Sequence, residues 1–150
     1  MSAFIDIHQR DEELYLAYKK AFSQPNTTHI QAVQAAIHTP TSRYWVSPYY
    51  VYRDIRSRLR GYRTKYDPVS RRKKPRAVRA TMYDELFQIY KSLTRQRYFR
   101  GYSTYFLVSF VINHQAPCFY IELRHAQRII ARMRKEAHYK HFHPSLNPQP

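Results

Sequence analysis

Apolar positions recur along the chain at helical rather than strand spacing. Leu14, Tyr18, Ala21 and Phe22 form one stripe, at the three- and four-residue steps that put side chains on a single helix face. Asp11-Glu12-Glu13 place negative charge where the dipole of a starting helix favours it, and Pro25 with Asn26 ends that helix. Thr27 or Thr28 is positioned to cap a second helix, which carries Ile30, Val33 and Ile37 on one face and stops at Pro40. Tyr44-Trp45-Val46, bulky and β-branched, predicts a short extended segment. Ser47-Pro48 then predicts a capped start, with proline at the first helical position. The third helix runs to about Arg60 and Gly61, with Val51, Ile55 and Leu59 expected inward.

The same pattern returns. Glu13-Leu14-Tyr15-Leu16-Ala17-Tyr18-Lys19 matches Glu85-Leu86-Phe87-Gln88-Ile89-Tyr90-Lys91, shifted by 72. Ile30, Val33 and Ile37 match Tyr105, Val108 and Ile112, shifted by 75. With that second shift, Tyr44-Trp45-Val46 matches Phe119-Tyr120-Ile121, and Val51, Arg53 and Ile55 match Ala126, Arg128 and Ile130. Four blocks in order indicate duplication, with three extra residues in the first loop of the second copy. Past Ile130 the match loosens, and Met133 is taken as the counterpart of Leu59. Copy two is expected to open its helices at Asp84-Glu85, at Ser103 or Thr104, and at Glu122, with Pro117 in the last turn.

The fold expected is therefore all-α: two tandem three-helix, helix-turn-helix-like units, each with a short extended segment before its third helix. Residues 1–61 are the first repeat, 62–80 a basic connector, 81–140 the second repeat and 141–150 a disordered tail. One departure from a standard helix-turn-helix is visible. The connection His38 to Ser47 is much longer than the usual turn of three or four residues.

The stretches Pro40-Thr41-Ser42-Arg43-Tyr44-Trp45-Val46-Ser47 and Ala116-Pro117-Cys118-Phe119-Tyr120-Ile121-Glu122 each follow a helix pair and open a third helix. In this the chain resembles a group of small tandem-repeat basic proteins of Bacteroides-like bacteria. The resemblance covers both repeats, roughly residues 11 to 135, and implies a bacterial setting.

Composition then narrows the picture. Leu, Ile, Val and Phe are 33 of 150 residues, barely above the level of about 20% at which disorder becomes the expectation. Fifteen tyrosines and one tryptophan supply the missing apolar area, because a buried tyrosine hides a large ring while its hydroxyl finds a partner. A single cysteine, Cys118, excludes an internal disulfide, and two glycines argue against Gly-rich phosphate loops. No apolar run is long enough to cross a bilayer, and the N-terminus lacks the layout of a secretory signal. A cytoplasmic protein is expected, nucleoid-associated if it binds DNA.

Net charge is the strongest statement about partners. Lys and Arg number 26 against 10 Asp and Glu, a formal +16. Arg53, Arg56 and Arg60 stand on the third helix of copy one, on the side away from Val51, Ile55 and Leu59. Arg124, Arg128 and Arg132, with Gln127 and Lys135 beside them, take the matching place in copy two. That helix is the one a helix-turn-helix module lays in the major groove. The connector adds Arg71, Arg72, Lys73, Lys74 and Arg76, suited to tracking phosphates. An arginine stripe by itself is ordinary solvated surface; two of them at matched positions point to nucleic acid. Tyr49, Tyr50, Tyr62, Tyr66, Tyr98 and Tyr102 either stack on unpaired bases or line the rims of small cores.

No catalytic set is expected. His125-Ala126-Gln127-Arg128 with Tyr139 imitates a tyrosine recombinase, but all fall on one predicted helix, whereas a nucleophile and its activators must converge in space. His141-Phe142-His143 imitates the paired histidines of rolling-circle nucleases without a tyrosine after them. His138, His141 and His143 lack the further ligands a metal requires. The function expected is non-catalytic binding of double-stranded DNA, regulatory or architectural, with no cofactor, metal or membrane. Two alternatives stay open: an RNA- or ribosome-associated protein, and an adaptor or inhibitor docking on an acidic protein.

Overall fold

The computed structural model describes residues 6–61 and 77–142. Among them are α1 (Ile7–Phe22), α2 (His29–Ile37), α3 (Pro48–Leu59), α4 (Ala77–Thr94), α5 (Thr104–Ile112) and α6 (Leu123–Phe142), with a 3-10 turn at Arg97–Phe99 before α5. The protein is all-helical in this part. The extended segments expected before the third helices do not form strands there; one isolated antiparallel bridge joins Thr41 to Ala116. Its two amides donate reciprocally, at 2.9 and 3.0 Å, between positions that match in the two copies.

Local signals explain most helix ends. Asp6 caps α1 by accepting from the Gln9 amide, so the helix begins before Asp11, and the acids placed at its start lie a turn or more inside. Thr28 and Gln31 form a reciprocal capping box on α2, satisfying two amides that a helix start leaves without intrahelical partners. Ser103 caps α5 through the Phe106 amide. Ser47 makes no capping bond, and Pro48 at the first position carries the signal for α3. α4 starts at Ala77, inside the expected connector, and α6 continues through Phe142, into the expected tail.

The chain divides into two compact units that cut across the repeats. One consists of the described part of Thr41–Ala116, holding α3, α4 and α5; the other joins Asp6–Pro40 to the described part of Pro117–Pro150, holding α1, α2 and α6. In the first, α3 packs on α4 and α5; in the second, α6 packs on α1 and α2. Each unit thus takes two helices from one copy and its third from the other. This corrects the expected pair of self-contained repeats, and the long His38–Ser47 connection is its physical correlate, since it must carry α3 out of the unit that holds α2.

The two cores are built alike. Leu14, Tyr18, Val33, Ile37, Phe119, Ile121, Ala126 and Ile130 are buried in one unit. Leu86, Tyr90, Val108, Ile112, Tyr44, Val46, Val51 and Ile55 occupy the matching positions in the other. The backbone follows suit: the Phe119 amide donates to the Ile37 carbonyl at 3.0 Å, and the Tyr44 amide to the Ile112 carbonyl at 2.9 Å. Ile30, Phe22 and Leu59 were expected inward and are exposed. The buried set of α2 is Ala32, Val33, Ala36 and Ile37, a face about a quarter turn from Ile30 at 100° per residue.

The shift of 75 also holds to the end of the third helices. Arg58 lies inward like Met133, and Asp54 like Ile129, so Met133 matches Arg58 and not Leu59. Where copy two has an apolar pair, copy one has an ion pair: Arg58 Nε donates to Asp54 Oδ2 at 2.9 Å, and its Nη2 to Asp84 Oδ1 at 2.7 Å.

Tyr83 is buried in the unit of α3, α4 and α5, and burial raises its hydroxyl above the ordinary tyrosine range, against an opposing pull from Arg79. Its stabilising share is complete below the unfolded tyrosine value of about 10 and is lost as pH climbs from there toward the raised folded value. Urea melts above pH 10 are expected to show a steeper loss of stability for the parent than for Tyr83→Phe.

Candidate nucleic-acid interface

Burial of Val51, Asp54 and Ile55 fixes the opposite face of α3 toward water. Arg53, Arg56 and Arg60 are all exposed there, as expected. Helical spacing seats two of them over aromatic rings one turn back: the Arg53 guanidinium lies 5.7 Å from the Tyr49 ring centre, and that of Arg56 lies 5.8 Å from Tyr52. Such contacts hold the stems in place and leave the guanidinium edges free to donate. Among the described residues, no carboxylate pairs with these three arginines. Arg58, between them in sequence, is the one drawn inward by Asp54 and Asp84.

On α6, Ala126, Ile129, Ile130 and Met133 are buried, which leaves Arg124, Arg128, Arg132 and Lys135 exposed and Gln127 half-buried. Arg132 differs from its neighbours. Its Nη2 donates to Oδ2 of Asp11, a side chain only 1% exposed, whose Oδ1 accepts from Nε and Nη2 of Arg10 at 2.9 and 2.7 Å. Without Arg132, Arg10 would still pair Oδ1 but Oδ2 would be buried without that donor, and leaving a buried acceptor unsatisfied is costly, so Arg132 is a structural residue first. Arg132→Ala is expected to lower stability by about 2 kcal/mol, while Arg128→Ala stays within about 0.5 kcal/mol of the parent; denaturant melts read both.

The connector residues Arg71, Arg72, Lys73, Lys74 and Arg76 lie outside the described residues, as do Tyr62, Tyr66 and His143. Four of the tyrosines singled out as stacking candidates, Tyr49, Tyr50, Tyr98 and Tyr102, are exposed. Sequence reasoning passed over Arg134, exposed on α6, and the exposed group Arg95, Arg97 and Arg100 around the 3-10 turn. For that group the signal was present in the alternation of arginine and aromatic residues from Arg95 to Tyr102.

His125, Arg128 and Tyr139 sit on one helix, the last two three turns apart, and helix geometry separates them by about 16 Å. The His138 and His141 rings pack edge-on to Phe142, with centres 4.6 and 5.3 Å away. Among the described residues, no helix is long and apolar enough to cross a membrane, and no group of three or more His, Cys, Asp or Glu side chains is placed to hold a metal ion. The chain matches no protein-family model, no curated protein and no solved structure.

Proposed function

We propose that this protein binds nucleic acid, duplex DNA in particular, in a non-catalytic role. One observation carries the reading: the third helices of the two copies both present exposed guanidinium groups, Arg53 and Arg56 on α3 and Arg124 and Arg128 on α6. Each helix carries these arginines on the side away from its buried face, which suits laying that exposed side in a major groove. Arginine fits both demands of such a groove, since its planar fork spans two phosphate oxygens or the two acceptors of guanine. The formal charge of +16 adds the long-range attraction. Phosphate contacts supply most of the affinity, and one or two arginines per helix read base edges.

A competition titration tests the polymer class. Equal-length duplex DNA and structured RNA are offered against a labelled duplex at several salt concentrations. Duplex DNA is expected to compete best, and all binding to weaken steeply with salt. Stronger competition by structured RNA at matched salt replaces duplex DNA with RNA as the target. Binding that ignores salt removes the phosphate mechanism.

A further inference from the structure

The loop between α4 and α5 is where the second copy carries its three extra residues, and its chemistry has no parallel in the first. Copy one connects α1 to α2 through Ser23-Gln24-Pro25-Asn26-Thr27-Thr28, with no charge and no ring. Copy two uses Arg95-Gln96-Arg97-Tyr98-Phe99-Arg100-Gly101-Tyr102-Ser103. Gly101, at φ +84°, makes the backbone reversal that brings Tyr102 back beside the 3-10 turn.

Five rings gather at this corner of the unit. Phe99, Tyr102, Phe106 and Phe110 form a closed circuit, with successive centres 6.3, 4.9, 5.4 and 5.2 Å apart. Tyr98 stands edge-on to Phe99 at 5.0 Å and is 75% exposed. Tyr102, Phe106 and Phe110 are also exposed. The fold does not require rings here. Phe106 and Phe110 match Gln31 and Ala35 on α2, and α2 packs in its own unit with those residues facing water. Exposing aromatic side chains where a glutamine and an alanine suffice is a cost that packing does not explain.

Two properties select the occupant. Between residues 95 and 113, every large apolar side chain left exposed is aromatic, whereas a docking peptide or helix is met by aliphatic as well as aromatic side chains. Arg95, Arg97 and Arg100 flank and interrupt the ring-bearing stretch in sequence and are exposed. The described acids of this unit are engaged elsewhere, Asp54 and Asp84 by Arg58, and Glu85 by the Tyr44 hydroxyl. Flat apolar faces interleaved with exposed cations complement bases joined by phosphates, the pattern by which single strands are held. We infer that the corner formed by the 3-10 turn and α5 is a stacking platform for unpaired nucleic acid, a second site distinct in chemistry from the arginine faces of α3 and α6. Tyr98 and Phe106 offer faces to successive bases, Phe99 and Phe110 hold those rings in orientation, and the three arginines meet the phosphates.

The test uses the full chain and two probes, a fluorescent oligothymidylate of about 12 nucleotides, within the range one such surface covers, and a blunt duplex of similar length. The variant is Tyr98→Ala with Phe106→Gln and Phe110→Ala. The last two changes install what α2 already carries at the matched positions, so folding is retained and circular dichroism verifies it. The variant is expected to bind the oligothymidylate at least tenfold more weakly, at the low end of what losing stacked bases costs, with duplex binding unchanged. An oligothymidylate bound equally by parent and variant overturns the platform. So does a parent that ignores the oligothymidylate at low salt but self-associates through this corner, which assigns the rings to a second copy of the chain. A parent that holds the oligothymidylate and ignores the duplex keeps the platform and rejects the duplex reading.

Discussion

Residues 1–61, produced alone, are expected not to fold as a monomer, although they contain one complete repeat. In the full chain α1 and α2 are covered by α6, and α3 by α4 and α5. The fragment therefore strands two incomplete faces: Leu14, Val33 and Ile37 without α6, and Val51 and Ile55 without the helices that bury them. Small domains hold only about 5–15 kcal/mol in total, and losing the cover over both faces exceeds that margin. Helicity at low micromolar concentration is expected to be largely lost. It should return with concentration, because the apolar inward positions of α3 repeat those of α6, Val51 for Ala126 and Ile55 for Ile130, so a second fragment can supply the missing helix, less tightly than α6 does since Asp54 and Arg58 replace Ile129 and Met133. Circular dichroism against concentration, paired with sedimentation equilibrium, reads the outcome. A helical, cooperatively melting monomer would show that α3 folds back onto its own α1 and α2, and the exchange of third helices would then be no requirement of the fold.

That exchange marks the limit of what the sequence discloses. Periodicity reports which face of a helix is apolar and is silent on which partner covers it. The apolar positions of the two third helices, Val51-Ile55 and Ala126-Ile130, suit either helix pair; what distinguishes them is charge, Arg58 with Asp84 of α4 and Arg132 with Asp11 of α1, and spacing does not report those partners. The length of His38–Ser47 was the legible hint, since a helix packing on its immediate predecessor needs only a tight turn. The duplication itself was readable because matched core positions keep their burial. The errors at Ile30 and Leu59 have one cause. Both sit at the margin of an apolar arc, near a helix end, where spacing alone tolerates an extra member. The Asp54–Arg58 pair hid the register of the third helices, because a charged pair at two inward positions reads as surface. Of the arginine faces, exposure at Arg53, Arg56, Arg124 and Arg128 was legible from the inward residues alone. The engagement of Arg132 by Asp11 was not, because it joins helices at opposite ends of the chain.

Replacing Arg53, Arg56, Arg124 and Arg128 together by alanine is expected to weaken duplex binding by a hundred- to a thousandfold, on the order of what four lost phosphate contacts give near 0.1 M salt. The estimate follows from counterion release: each neutralised phosphate frees about 0.9 of a condensed ion, so each contact is worth just under a decade at that concentration, less whatever neighbouring cations recover. The same stoichiometry fixes a second observable. The plot of log affinity against log salt should become shallower by about 0.9 per lost contact, between about 2 and 3 in all once neighbouring cations recover their share. Arg132 is left intact in this variant because its removal unseats Asp11, and an unfolded fraction would pass for lost affinity. All four replaced side chains are exposed, so the melting transition should move little. Fluorescence anisotropy across a salt series measures affinity and slope together. Lower affinity with an unchanged slope means that these arginines touch bases or shape the helices without neutralising phosphate. An unchanged affinity moves the duplex site off α3 and α6, and leaves the basic run Arg71-Arg72-Lys73-Lys74-Pro75-Arg76 as the next segment to neutralise.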